Sequence, residues 1–197
     1  MEKGQNSNRP KAGSQIKVDP IKEMKDIRAI KKMLADRPRD LCLFILGVNT
    51  NLRASDLLQI TAGQVDGLQP GGEIEIREKK TGKARRINLN KACVKAINGL
   101  LCEGRHAPSD PLFKGQRGPL TVPSINRLVK QWCKAINLRG NYGSHTLRKT
   151  FGYHQRVTFG VSLPVLMETF NHSSQRQTLD YLCVQAEEIK SIYDNEI

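Results

Sequence analysis

No apolar run in this chain of 197 residues approaches the ~20 residues that a membrane-spanning helix needs. No secretory leader opens it either, so a soluble, cytoplasmic protein is expected. Acidic residues are in short supply: 19 Asp+Glu stand against 32 Lys+Arg, a formal net charge of +13. That deficit works against a cationic partner and favours a polyanion, with nucleic acid the leading candidate. The deficit is uneven, since residues 1–160 hold 30 basic and 13 acidic residues while 161–197 hold two basic and six acidic. The C-terminal stretch is therefore better suited to touching protein than phosphate. Cysteines are few and odd in number. Cys42, Cys93, Cys102, Cys133 and Cys183 lack the paired spacing of a metal site, and they read as free thiols, several of them in the core. Internal repeats are absent, and the length suits one good-sized domain with tails.

What is present divides into three parts. Residues 1–18, MEKGQNSNRPKAGSQIKV, show no sustained periodicity and read as a disordered basic N-terminal arm. Asp19 and Pro20 supply an N-cap and first turn for a helix over about 20–36, with Met24, Ile27, Ile30 and Leu34 on one face. Pro38 opens a second helix whose run LCLFILGV is apolar on most sides, which places it centrally. Ser55 and Asp56 read as caps of a short helix that follows Arg53. The segment EIEIREKKTGKARRINL alternates Ile74 and Ile76 with polar residues, turns at Thr81-Gly82 and resumes with Ile87 and Leu89, a basic β-hairpin. Helices are expected over 91–103, 122–136 and 162–170, with helical residues also in GSHTLRKTFGYHQRV. The domain spans 19–182, and 183–197 form a helical tail with Val184, Ile189, Ile192 and Tyr193 near one face.

The chemistry concentrates in a few places. His145 and Arg148 are three residues apart, so on a helix both leave the same face and can grip one anion. Arg53, at a helix junction, offers a second guanidinium whose fork matches two phosphate oxygens. In NHSSQRQTLDYL, His172 precedes Tyr181 by nine residues in a segment that offers a core only Leu179 and Leu182. Two polar aromatic groups with so little apolar company need a hydrogen-bonding or a chemical role.

The boxes NLRASDLL, EKKTGKARRINL, SHTLRKTF and NHSSQRQTLDYL, in this order, resemble the catalytic domain of the tyrosine recombinase (phage integrase) family from about residue 20 to 185. The resemblance implies a mainly α fold with a small antiparallel β-sheet (α+β). It also implies the catalytic set Arg53, Lys80, His145, Arg148, His172 and Tyr181. Tyr181 would attack a DNA phosphorus to give a 3′-phosphotyrosyl bond, with His145 assisting as a base and Lys80 protonating the leaving 5′-oxygen. Arg53, Arg148 and His172 would hold the oxyanions. The resemblance implies neither metal nor cofactor, a double-stranded DNA partner, a homotetramer assembled on DNA, and no membrane. Family members usually carry a preceding DNA-clamping domain; here residues 1–19 precede the first expected helix, and weaker DNA affinity is expected. The sequence departs from the family at Asn51 and Asn171, where glycine is common. Asn is next best to Gly for a left-handed turn after a helix.

Taken singly, each residue has a plainer reading. The histidines can be hydrogen-bonded structural groups, Arg53 can pair with Asp56, Tyr181 can pack like Tyr142, Tyr153 or Tyr193, and KKTGKARR can be a solvated hairpin. Six coincidences of type, order and spacing outweigh those readings jointly. Two alternatives stand beside this reading: a recombinase-like fold that grips DNA without cutting it, and a type IB topoisomerase-like enzyme, which shares the phosphotyrosine chemistry but relaxes supercoils alone. Trapping a covalent protein–DNA adduct separates the first from both enzymes.

Overall fold

The computed structural model describes residues 17–183. Most of the expected basic arm, and the tail after Cys183 with its apolar stripe, lie outside the described residues. In chain order the elements are α1 (Met24–Met33), α2 (Pro38–Asn49), α3 (Ala54–Leu57), α4 (Ala62–Val65), β1 (Glu73–Arg77), β2 (Ala84–Asn88) and α5 (Lys91–Leu101). Then follow β3 (Lys114–Gly115), β4 (Gly118–Pro119), α6 (Val122–Ala135), α7 (Ser144–Val157), α8 (Leu163–Phe170) and α9 (Gln175–Leu182). The expected class, mainly α with a small antiparallel sheet, is what the chain adopts.

Helix α2 is central, as its all-round apolar run requires. Pro38 sits in its first turn, and Cys42, Leu43, Phe44 and Leu46 are fully buried. Each large apolar side chain buried in this way contributes about 1.5–3 kcal/mol. Phe44 meets the single Trp132 of α6 edge to face, with ring centroids 5.9 Å apart. Helices α5 and α7 pack on α2, α6 packs on α7, and α9 closes on α7 and α8.

Two helical glycines set the approach of α7, the helix that bears the His-x-x-Arg box. A Cβ on Gly47 of α2 would meet Leu147 Cδ1 at 2.5 Å, and a Cβ on Gly152 of α7 would meet Leu182 Cδ2 and Phe170 Cζ. Both positions give up about 1 kcal/mol of helix propensity relative to alanine. In return α7 lies close to α2 on one side and to the tyrosine-bearing α9 on the other.

Strands β1 and β2 form the expected hairpin, with Ile74 opposite Ile87 and Ile76 opposite Arg85. The turn between them falls at Lys79–Thr81, and Gly82 takes a left-handed φ of 69°. A further two-residue ribbon, β3 with β4, lies in the loop between α5 and α6.

Two local expectations are corrected. The first helix begins at Met24, because Asp19 is committed elsewhere: its N–H donates to Asn141 O (2.7 Å) and its carboxylate accepts from Asn141 N (2.9 Å). Ile21 is buried, donates to Thr150 Oγ1 (2.8 Å), and its carbonyl meets His154 Nε2 (2.9 Å). This lead-in strap therefore binds α7 instead of extending α1. Ser55 and Asp56 do not cap α3, since Arg53 occupies the N-cap position and both lie within the helix.

Candidate active site

The turn from α2 to α3 is built on a left-handed residue. Asn51 has φ 54°, is buried, and donates its side-chain amide to Thr169 O (2.8 Å) near the C-terminus of α8. Two residues later Arg53, in extended conformation, turns its guanidinium toward the hairpin. Its Nη1 lies 2.9 Å from Glu78 Oε2 and 3.7 Å from Asp56 Oδ2. The shorter contact makes Glu78 the principal partner of the Arg53 guanidinium.

Glu78 and Asp56 hold the hairpin turn in place. Glu78 accepts from Thr81 Oγ1 (2.7 Å) and from Arg85 Nη1 (3.4 Å), and Asp56 Oδ1 accepts from the backbone N–H of Lys79 (3.1 Å). Burial alone would raise the Glu78 carboxyl; the Thr81 hydroxyl, then Arg53 and Arg85, outweigh it and hold it below the ordinary carboxylate range. Lys80 stands at the exposed tip.

Helix α7 delivers the His-x-x-Arg pair. Its N-terminus is fixed by Ser144 N donating to Asn126 Oδ1 of α6 (3.0 Å) and Gly143 N donating to Thr146 Oγ1 (3.0 Å). His145, in the first turn, is exposed to solvent on one side. Partial burial of its inner edge, then the charges of Arg148, Lys149, Arg53 and Lys80, hold it below the ordinary imidazole range. Arg148 is buried; its Nη2 donates to Phe170 O (3.3 Å), its guanidinium carbon sits 5.1 Å from the Phe170 ring centroid, and its Nη1 has no partner among the described residues. Burial first, with Arg53 and Arg85 adding to it, lowers it to about 10 against the opposing pull of Tyr181 and Glu78.

The spacing of His172 and Tyr181 now has a physical account. Helix α8 ends at Asn171, left-handed at φ 55°, with His172 N donating back to Met167 O (2.9 Å), a Schellman-type closure. Asn thus fills the two positions where the family commonly has glycine in the conformation glycine would adopt. Ser174 then caps α9, and this helix brings Tyr181 back over the turn. The rings of Phe170, His172 and Tyr181 form one cluster: His172 stacks on Phe170 at 5.3 Å, and Tyr181 stands edge-on to His172 at 5.3 Å and 74°. His172 Nδ1 is 3.1 Å from the buried Thr178 hydroxyl. Burial first, with Arg148 and Arg53 acting in the same direction, pushes His172 down to about 4. Burial pushes the Tyr181 phenol up to about 12 against the pull of Arg148 and Arg53, and its hydroxyl is buried without a hydrogen-bond partner among the described residues.

Arg53, Arg148, His172 and Tyr181 are thus close enough for the arginines to shift both His172 and Tyr181. His145 joins them on the exposed side, while Lys80 reaches the group only through its charge on His145. Sequence reasoning missed Glu78, Thr178, and Lys149, whose Nζ lies 5.1 Å from the Tyr181 ring centroid and 3.3 Å from Cys183 Sγ. For Glu78 a signal was available, since Ile74, Ile76 and Glu78 follow a period of two and all are buried.

A helical domain with this layout has the fold of a recombinase catalytic domain. The crystal structure of XerA recombinase superposes with TM-score 0.73 at 21% identity, over 94% of this chain and 65% of its own. XerH recombinase bound to its difH substrate in a post-cleavage complex gives TM-score 0.71 at 22%, over 93% and 55%. The chain belongs to the phage integrase family, whose sequence model matches residues 21–188. It is similar to the probable integrase/recombinase YoeC of Bacillus subtilis (strain 168), 32% identical across 89% of this chain and 95% of that protein. It is also similar to the tyrosine recombinase XerC of Rhizobium meliloti (strain 1021), 26% identical across 88% of this chain and 57% of that one. The family is one of DNA-cleaving and rejoining enzymes. Among the described residues no helix is long and apolar enough to cross a membrane.

Proposed function

We propose that this chain cuts and rejoins double-stranded DNA with Tyr181 as nucleophile, working as a homotetramer on its DNA site. The observation that carries the reading is that Arg148 Nη1 and Tyr181 Oη are both buried and lack a hydrogen-bond partner among the described residues, with the Arg53 guanidinium held beside them by Glu78. Buried polar groups are nearly always satisfied, and an unsatisfied one costs about 1–3 kcal/mol. An open guanidinium donor and an open phenol, with a second guanidinium alongside, fit a phosphate with a nucleophile beside it.

In this reading the Tyr181 oxygen attacks phosphorus, a P–O bond to tyrosine forms, and the bond to the 5′-oxygen breaks. Nothing is oxidised or reduced, and the 3′-phosphotyrosyl link keeps the phosphodiester's energy for rejoining by a 5′-hydroxyl. A phenol held near 12 is protonated at neutral pH, so it must lose its proton as it attacks. His145, held neutral by partial burial and the cations around it, is the acceptor. The departing 5′-oxygen takes a proton from Lys80 at the exposed hairpin tip. Arg53 and Arg148 stabilise the charge that builds on the non-bridging oxygens, and His172 adds a third contact.

The test uses a nicked suicide substrate, from which the cleaved 5′ fragment diffuses away and leaves the adduct trapped. Wild type and Tyr193→Phe give a covalent adduct and Tyr181→Phe gives none. An adduct that persists in Tyr181→Phe refutes the nucleophile assignment. Supercoil relaxation by monomers on any sequence would instead place the chain with the type IB topoisomerases.

A further inference from the structure

The reactive set leaves one buried carboxylate unexplained. Glu78 closes the turn between β1 and β2: its N–H donates to Lys83 O (2.9 Å) and its carbonyl accepts from Gly82 N (2.8 Å). Its side chain is only 4% exposed and lies between two arginines, Arg53 at 2.9 Å and Arg85 at 3.4 Å. Arg85 in turn donates from Nη2 to Thr169 O (2.8 Å), the same carbonyl that Asn51 caps. One carboxylate is therefore the common anchor of the Arg53 guanidinium, the base of the hairpin tip, and, through Arg85, the turn that carries His172.

We propose that Glu78 is a positioning residue for strand cleavage, holding the Arg53 guanidinium so that its remaining N–H groups face the scissile phosphate. The inference rests on the cleavage reading above. A bare arginine has four soft side-chain torsions and would have to be ordered by the DNA each time it bound. An arginine with one edge clamped by a buried carboxylate meets the phosphate already oriented. The clamp holds the guanidinium through Nη1, and a guanidinium carries five N–H donors, so it orients Arg53 while leaving donors for the phosphate. Asp56 alone does not supply this, because its distance to Arg53 is 3.7 Å and its Oδ1 accepts the Lys79 N–H, the Ser55 hydroxyl and the Gln59 amide. Glu78 touches no reacting atom in this scheme and acts wholly through Arg53.

The experiment measures single-turnover adduct formation by the full chain on the nicked substrate for wild type, Glu78→Gln, Glu78→Asp, Arg53→Ala and the Glu78→Gln/Arg53→Ala double variant. Melting temperature and DNA affinity are recorded for each. Glu78→Gln keeps the shape and the Thr81 contact but loses the charge; it slows cleavage by about 10–10² at near wild-type DNA affinity, the size expected for a misplaced catalytic group. Glu78→Asp recovers part of the loss. In the Arg53→Ala background Glu78→Gln slows nothing further, and it speeds cleavage if the orphaned carboxylate repels the phosphate. On a substrate with a 5′-bridging sulfur, the Glu78→Gln loss persists, because Arg53 serves the non-bridging oxygens. Cleavage by Glu78→Gln at the wild-type rate overturns the proposal and leaves the cleavage reading standing. Equal slowing with and without Arg53, or a loss that vanishes on the sulfur substrate, overturns the route through Arg53. A wild-type chain that forms no adduct overturns the cleavage reading and this proposal with it.

Discussion

The side-chain amide of Asn51 donates to the carbonyl of Thr169 across 2.8 Å, joining positions 118 residues apart. One end of this bond is the turn that presents Arg53, and the other is the end of α8, just before His172. A glycine at position 51 would fit the left-handed turn but could not make the bond. The departure from the family's common glycine therefore adds a link between two halves of the site, at the cost of a Cβ in left-handed conformation and a buried, unpartnered Oδ1.

Those opposing terms give the first prediction. Asn51→Gly loses one hydrogen bond but relieves the strain and the unpaired oxygen, so its unfolding free energy stays within about 1 kcal/mol of wild type. Asn51→Ala keeps the Cβ and loses the bond, and falls below Asn51→Gly by about 1–2 kcal/mol. Urea denaturation of the two variants checks the order. Alanine as stable as glycine would show that residue 51 does not keep its left-handed turn in solution.

The arginines supply the second. Arg53→Ala or Arg148→Ala removes a charged donor from the oxyanion site and slows adduct formation by about 10²–10³, or ~3–4 kcal/mol. Arg148→Lys rescues poorly, because one ammonium cannot both donate to Phe170 O and serve a phosphate oxygen as the two Nη atoms can. Near wild-type cleavage by Arg148→Lys would refute the two-handed role.

The third concerns the hairpin tip. Lys80→Ala slows cleavage of a normal phosphodiester and spares a substrate with a 5′-bridging sulfur, whose leaving group needs no proton. Equal slowing on both substrates reduces Lys80 to a phosphate contact and turns attention to Lys79 and Lys83.

Much of this site could be read from the chain because its signals are local. The alternation around Ile74 and Ile76, Pro38 before an apolar run, and three residues between His145 and Arg148 each report on neighbours along the backbone. What stayed hidden depends on partners far away in sequence. Asp19 looked like a helix cap until Asn141 claimed it, and Asp56 looked like another until the N–H of Lys79 did. Glu78 continues the alternation of Ile74 and Ile76, but it sits in so basic a run that the alternation is outweighed and it reads as solvated. Its burial follows from Arg53 and Arg85 flanking it, and no window along the hairpin contains Arg53.

The last prediction comes from the single proton of the Thr178 hydroxyl. Thr178 Oγ1 lies 3.3 Å from Ser174 O, which can only accept, and 3.1 Å from His172 Nδ1; with its one proton given to Ser174 O, it accepts from His172 Nδ1. The proton of the neutral ring is then on Nδ1, and Nε2 is a bare lone pair that repels a phosphate oxygen. To act as an oxyanion donor, His172 must take up a second proton. In the free chain burial and the two arginines hold the ring near 4, so it is neutral at neutral pH. A bound phosphate is the charge that raises it. Two consequences follow, with signs. The share of folding stability linked to His172 is fully present above the ordinary imidazole value of 6.5 and is lost as pH falls toward about 4, because the unfolded chain takes the proton first. DNA binding runs the other way: it takes up a proton, so affinity rises as pH falls through the same window. Calorimetric titration of DNA into the chain, in buffers of different ionisation enthalpy, measures the uptake. Thr178→Val frees Nδ1 and lets the ring carry its proton on Nε2, so uptake shrinks, and His172→Asn abolishes it. Uptake unchanged in both variants would show that His172 meets the phosphate without a second proton, and the fixed Nδ1–H tautomer would be wrong.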